Sequence, residues 1–136
     1  MRHYISKHKR KQVIQRAQSK CEYCQLSQVF TYLPFQIEHV IAIKHGGGNE
    51  LSNLALACPQ CNNHKGSDLT TFLDSYNNII PLFNPRTANW VDHFRTADGL
   101  LYPKTEIARA TIKLLKMNKA EVVKIRRILS SANLYP

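Results

Sequence analysis

The sequence predicts an α+β fold in which two short strands and a helix are held at their base by paired cysteines and flanked by further helices. Three observations carry this. Cys21-x-x-Cys24 and Cys58-x-x-Cys61 use up all 4 cysteines in two CxxC pairs. Residues 35–43 (FQIEHVIAI) and 54–57 (LALA) are short runs of apolar, aromatic and β-branched residues separated by Gly46, Gly47 and Gly48, the pattern of two strands joined by an irregular loop. Apolar residues recur at helical spacing near both ends of the chain. At 136 residues and 15.6 kDa the chain has the length of one domain, enough to bury roughly two thirds of the surface its unfolded form exposes. Its 43% hydrophobic and 21% charged content suits a folded chain rather than a disordered one.

The elements follow in order. Residues 6–20 are basic, with Val13, Ile14 and Ala17 at helical spacing, and residues 1–20 therefore read as a basic arm or short helix. Residues 21–78 form the core between and around the cysteine pairs. Pro59 suits the first turn of a helix, which Leu69, Phe72, Leu73 and Tyr76 continue at helical spacing although Gly66 weakens it. Residues 79–136 are an extension that packs on the core within a single globular domain. In it, residues 80–103 read as a covering loop anchored by Phe83, Trp90 and Phe94. Thr105 caps a helix running to Met117, with Ile107, Ile112, Leu114 and Leu115 as its apolar positions. Asn118 caps a last helix with Ala120, Val123, Ile125 and Leu129.

Nineteen Lys and Arg against 9 Asp and Glu give a net charge of +10. Such an excess points to a polyanionic partner, above all nucleic acid, because basic side chains neutralise phosphates and release counterions. The charge is concentrated at the two ends. Arg2, Lys7, Lys9, Arg10, Lys11, Arg16 and Lys20 lie in the first twenty residues without one acid, and a second basic stretch runs from Lys104 to Arg127. The middle is net acidic and is free to bind cations. No apolar signal segment and no apolar run of about 20 residues is present, so the expectation is a cytoplasmic protein without membrane or small-molecule cofactor, encoded by a bacterium, archaeon or phage.

In that compartment the cysteines favour metal over disulfide bonding. Two knuckles 33 residues apart are the arrangement of a tetrahedral site for structural Zn2+, with Cys21, Cys24, Cys58 and Cys61 as ligands and a whole structural unit clamped between them. Redox dithiols or plain buried cysteines leave the paired symmetry unexplained.

Between and beside the knuckles the sequence reads IEHVIAIKHGGGNELSNLALACPQCNNHKG. Glu38-His39, a Gly-rich loop, Asn53 within LSNL and His64 within CNNHKG resemble the HNH endonuclease family, in its zinc-containing branch with two CxxC pairs. NPRTANWVDHF and the helix ending in KIRR are similar to the C-terminal extension of many small bacterial and phage members. The resemblance implies a ββα-metal (His-Me finger) core and hydrolysis of DNA phosphodiesters to 5′-phosphate and 3′-hydroxyl ends.

The residues support the same chemistry in their own right. Cleaving a phosphodiester requires activating a water and stabilising a negatively charged phosphorane, so one general base and one divalent cation suffice. His39 is the expected base, since an imidazole with a reference pKa of ~6.5 is neutral enough to accept a proton at physiological pH. Glu38 and His64 are the expected ligands of a catalytic Mg2+ or Mn2+, and Asn53 the residue that fixes His39 or the loop around it. Adjacent strand residues face opposite ways, so the strand must end or bulge at Glu38-His39.

Each of these residues alone has a plainer reading as a surface, turn or core residue; their ordered occurrence with the knuckles favours catalysis. His3, His8, His45 and His93 keep the plainer reading, although His45 is near enough to touch substrate. Lys9, Arg10, Lys11, Lys44, Lys65, Arg126 and Arg127 are candidates for contact with double-stranded DNA, with a solvated surface charge as the alternative for any one of them. A zinc-ribbon DNA-binding or adaptor module without catalysis is the competing function.

Overall fold

The computed structural model describes residues 4–136, which leaves Arg2 and His3 outside the described residues. Helices and strands are mixed, as expected for α+β. Helix α1 (Lys7–Arg16) is started by Ser6, whose side chain accepts from Lys9 N at 3.2 Å. A single buried residue, Val13, docks α1 on a small cluster with Ile5, Leu54 and Leu56.

Strand β1 (Gln36–His39) pairs antiparallel with β2 (Leu54–Ala57) in the register Glu38 to Ala55 and His39 to Leu54. The strand ends at His39 without a bulge. All four β2 residues are buried, since α1 and α2 (Pro59–Lys65) both pack on β2. Pro59 takes the first turn of α2, where its missing N–H costs nothing.

The helix expected to run on through Tyr76 stops at Gly66, which adopts φ +52°. The spacing of Leu69, Phe72, Leu73 and Tyr76 marks no buried stripe. Leu73 alone is buried, and Tyr76 is 83% exposed. The β-branched Thr70 and Thr71 instead form β3 (Thr70–Phe72), which pairs antiparallel with β4 (Ile79–Pro81).

The expected covering loop also contains structure. A short helix α3 (Trp90–His93) leads into an antiparallel hairpin of β5 (Phe94–Ala97) and β6 (Leu100–Pro103). Asp98 and Gly99 turn the hairpin, both at positive φ, as a two-residue turn of the primed type requires. Trp90 stacks on Phe94 at 5.0 Å between ring centroids, and Phe83 meets Phe94 edge-on at 5.3 Å. All three act as anchors, as expected.

Helix α4 (Glu106–Leu114) is capped by Thr105, as expected, with Ala108 N donating to its hydroxyl at 3.1 Å. Helix α5 (Ala120–Ser131) is preceded by Lys119 rather than capped by Asn118. The Asn118 amide instead brackets Leu101, accepting from its N–H at 2.9 Å and donating to its carbonyl at 2.8 Å. The main core joins Cys21, Tyr23, Cys24, Cys58 and Cys61 to Phe83, Phe94, Leu101, Leu115, Met117 and Tyr135. No helix among the described residues is long and apolar enough to cross a membrane.

Candidate active site and metal centre

The four cysteine sulfurs lie within 4.8 Å of one another and are buried. The Sγ atoms of Cys24 and Cys58 are 3.8 Å apart, the edge expected of a tetrahedron whose centre sits about 2.3 Å from each sulfur. Each knuckle shows the same local geometry: Cys24 N donates to Cys21 Sγ and Cys61 N to Cys58 Sγ, both at 3.4 Å. Hydrogen bonding from the neighbouring sulfurs holds the Cys58 thiol far below the usual thiol range and drives Cys24 and Cys61 well above it. The four cysteines thus form a cluster that could hold a zinc ion, whose charge would allow all four to ionise.

Beside the cluster, Glu38 and His39 stand at the end of β1, where the strand stops and both border one depression. Glu38 points inward and is 5% exposed. Its carboxylate accepts from the Tyr23 hydroxyl on one oxygen and pairs with Lys65 Nζ at 3.4 Å on the other. Lys65 is itself buried and donates to the Val40 carbonyl at 2.9 Å. Burial pushes the Glu38 carboxyl above its ordinary value, opposed by Lys65 and the Tyr23 hydrogen bond.

His39 is half-buried, and its Nε2 lies 2.7 Å from Asn49 Oδ1. Asn53 does not touch the His39 ring but clamps the loop that follows it. Its Oδ1 accepts from Ile41 N at 2.9 Å, and its Nδ2 donates to the carbonyls of Ile41 and Gly48 at 3.0 and 2.9 Å. The loop passes so close that a Cβ on Gly47 would meet Ile41 O at 1.7 Å and Asn53 Nδ2 at 2.8 Å. Glycine is the residue that fits there.

Ile37, Glu38, His39, Ala42, Asn62 and Gly66 line one open depression of about 260 Å³. His64 does not line it. It lines instead a neighbouring depression with Gln36, Gln60 and Lys119, one that Asn62 also borders. Partial burial, then Lys116 and Lys119, hold its imidazole below its ordinary pKa. Glu38 and His64, the expected ligand pair, therefore line two different depressions that meet at Asn62, and a cation beside Lys116 and Lys119 would meet repulsion. Asn62 takes the place in the cleft that the sequence reading gave to His64. Helical geometry was the available signal: Asn62 lies four residues from both Cys58 and Gly66.

The basic candidates divide by burial. Arg10, Lys11, Lys44 and Arg127 are exposed, and Arg127 pairs with Asp98 at 3.3 Å. Lys65 and Arg126 are not surface cations, which corrects their expected DNA-contacting role. Lys65 neutralises buried Glu38, and Arg126, 1% exposed, donates to the carbonyls of Gly99 and Met117 at 2.8 and 2.6 Å and to Asn118 Oδ1 at 3.2 Å. Lys9 is half-buried and donates to the Asn49 carbonyl at 2.8 Å. His45 is exposed on the turn Ile43–His45 outside the depression, and His93 bonds Thr105 Oγ1 at 2.7 Å.

No curated protein and no solved structure matches the chain. Residues 21–68 match a family model described as HNH endonuclease, a family that generally comprises nucleases, which are hydrolases. The matched stretch holds both knuckles, β1, β2, α2 and every residue of the depression, and it is this segment that the comparison identifies as an HNH endonuclease domain.

Proposed function

We propose that the protein is a metal-dependent endonuclease that hydrolyses phosphodiester bonds of double-stranded DNA. In this reading β1, β2 and α2 are its ββα-metal core and the four cysteines hold a structural Zn2+. The observation that carries it is the placement of half-exposed His39 at the end of β1, in one open depression with the oxygen donors of Glu38 and Asn62, within the HNH-matched segment.

His39 acts as general base. It takes a proton from water, the water oxygen attacks phosphorus, and the bond to the 3′ oxygen breaks; that oxygen takes up a proton from solvent, leaving a 5′-phosphate and a 3′-hydroxyl. Asn53 keeps the loop around His39 closed. Glu38 and Asn62 suit a catalytic Mg2+ or Mn2+: both offer hard oxygen atoms, and each carboxylate oxygen of Glu38 keeps a lone pair beyond its present partner. When bound, such a cation supplies positive charge to the phosphorane and the leaving oxygen. The net charge of +10 and the exposed Arg10, Lys11, Lys44 and Arg127 supply attraction to the DNA backbone.

The test is incubation of purified protein with supercoiled plasmid, with and without Mg2+ or Mn2+. The wild type should produce nicked or linear DNA only with metal. His39→Ala should abolish cleavage while zinc content, fold and DNA affinity persist. Asn62→Ala should raise the metal concentration needed, and His64→Ala should leave that requirement unchanged. Cleavage by His39→Ala near the wild-type rate, with contaminating nuclease excluded by a mock purification, would remove His39 as the base. DNA binding without cleavage by the wild type would instead favour a binding module.

A further inference from the structure

We propose that Asn49 is the positioning residue of His39, fixing its tautomer and ring orientation, and that the start of the chain holds Asn49 in place for this task. The inference deepens the nuclease reading, on which the word base rests, but the geometry stands apart from it. The His39 Nε2 to Asn49 Oδ1 distance of 2.7 Å is a hydrogen bond to an amide oxygen. An amide oxygen only accepts, so the ring hydrogen sits on Nε2 and Nδ1 carries the lone pair.

The amide orientation is fixed from its other end. Asn49 Nδ2 donates to the Tyr4 carbonyl at 3.2 Å; turning the amide over would set two oxygens against each other there. The Asn49 backbone is held as well, since its carbonyl accepts from Lys9 Nζ at 2.8 Å. On the far side of the loop, Gly48 O is tied to Asn53 Nδ2 at 2.9 Å.

A hydrogen bond to the Tyr4 carbonyl and one from Lys9 on α1 thus hold one loop residue, and that residue grips the imidazole. A basic side chain at the start of α1 serves here as a clamp on the catalytic loop. Without Asn49 the ring is free to place its hydrogen on either nitrogen and to turn about its side-chain bonds, so a smaller share of molecules presents a lone pair to water.

The test uses the full zinc-loaded chain at about pH 8, where a histidine is largely neutral, and two readouts. The first is the His39 tautomer, read by long-range proton–nitrogen NMR without DNA or catalytic metal. The second is the single-turnover plasmid cleavage rate beside the DNA dissociation constant. Wild type should show hydrogen on Nε2. Asn49→Ala should show a mixed tautomer and a cleavage rate about 10–100-fold lower, the usual cost of removing a partner that orients a catalytic histidine, with DNA affinity within about twofold.

Asn49→Asp, whose carboxylate accepts the same hydrogen but gives up the donor to the Tyr4 carbonyl, should restore the Nε2 tautomer and only part of the rate. Should Asn49→Ala lose zinc or unfold, Lys9→Met leaves the loop sequence intact and should show the same mixed tautomer to a smaller degree. An unchanged tautomer in a folded Asn49→Ala, or in Lys9→Met where that variant stands in, overturns the proposal. So does hydrogen on Nδ1 in the wild type. A tautomer that shifts in a protein that never cleaves DNA supports the role of Asn49 while defeating the nuclease reading.

Discussion

Lys65→Met tests whether the lysine after His64 is a surface cation or the buried partner of Glu38. Lys65 and Glu38 are 2% and 5% exposed and 3.4 Å apart. Removing one member of such a pair leaves an uncompensated buried charge, which costs about 3–5 kcal/mol. The Val40 carbonyl also loses its donor, and a buried acceptor left unpartnered costs about 1–3 kcal/mol on its own. Urea unfolding in zinc-containing buffer should therefore show Lys65→Met at least about 3 kcal/mol less stable than wild type. The double variant Glu38→Gln with Lys65→Met removes both charges and keeps an acceptor for the Tyr23 hydroxyl, so it should recover much of the loss. A Lys65→Met penalty under about 1 kcal/mol would refute the buried pair and return Lys65 to the DNA-facing surface.

Gly47→Ala should destabilise the fold by about 3 kcal/mol or more, at or beyond the top of the usual overpacking range, because the new methyl group meets the Ile41 carbonyl oxygen at 1.7 Å; thermal unfolding measures it. Cys58→Ser should lose zinc and cooperative unfolding together, since binding energy at such a site is folding energy; full zinc content and an unchanged melting curve would show that the cluster holds no structural ion. Replacing Arg10, Lys11 and Lys44 together should make the log-log salt dependence of DNA binding shallower by up to about 0.9 for each phosphate these side chains neutralise. Arg126→Met should leave that slope alone and lower stability instead, measured by urea unfolding, because the buried carbonyls of Gly99 and Met117 lose their donor.

The sequence was legible where local chemistry decides the structure. Pairs of cysteines at knuckle spacing, Leu54–Ala57, and Thr105 as a cap are each specified by a few neighbouring residues. Asp98-Gly99 between FRTA and LLYP is an equally local hairpin signal, and the reading of residues 80–103 as loop passed over it. The periodicity of Leu69, Phe72 and Tyr76 misled because spacing alone does not say that a face is covered. The candidate site residues divide the same way. His39 and Asn53 follow from type and order. His64 was read as a ligand from its place in the motif, whereas the depression beside Glu38 is lined by Asn62 and not by His64. Asn49 was hidden because its partners, Tyr4, Lys9 and His39, meet only once α1 has docked through Val13. Buried Arg126 shows the limit of counting charge, since nothing local distinguishes it from exposed Arg127.

The knuckles and the cleft are mechanically joined, and Tyr23 is the joint. It lies between the two cysteines of the first knuckle, is fully buried, and meets Phe83 edge-on at 6.5 Å while its hydroxyl donates to Glu38. Glu22 beside it accepts from Leu56 N at 2.8 Å, so the knuckle also runs along β2. Tyr23→Phe keeps the ring and the sulfurs and removes only the donor to Glu38. The expected loss is about 1.5–3 kcal/mol, as for a hydrogen bond to a charged group. Its pH dependence has a definite sign. Glu38 already sits above its ordinary carboxyl value in the fold, so ionising it costs stability as pH rises above the unfolded-state value, and losing the Tyr23 donor raises the folded value further. The gap between Tyr23→Phe and wild type should widen toward neutral pH and narrow toward acid, measured by urea unfolding over the range in which both proteins keep their zinc. A gap independent of pH, or a Tyr23→Phe protein as stable as wild type at neutral pH, would show that the hydroxyl does not support Glu38 and that the knuckle reaches the cleft by packing alone.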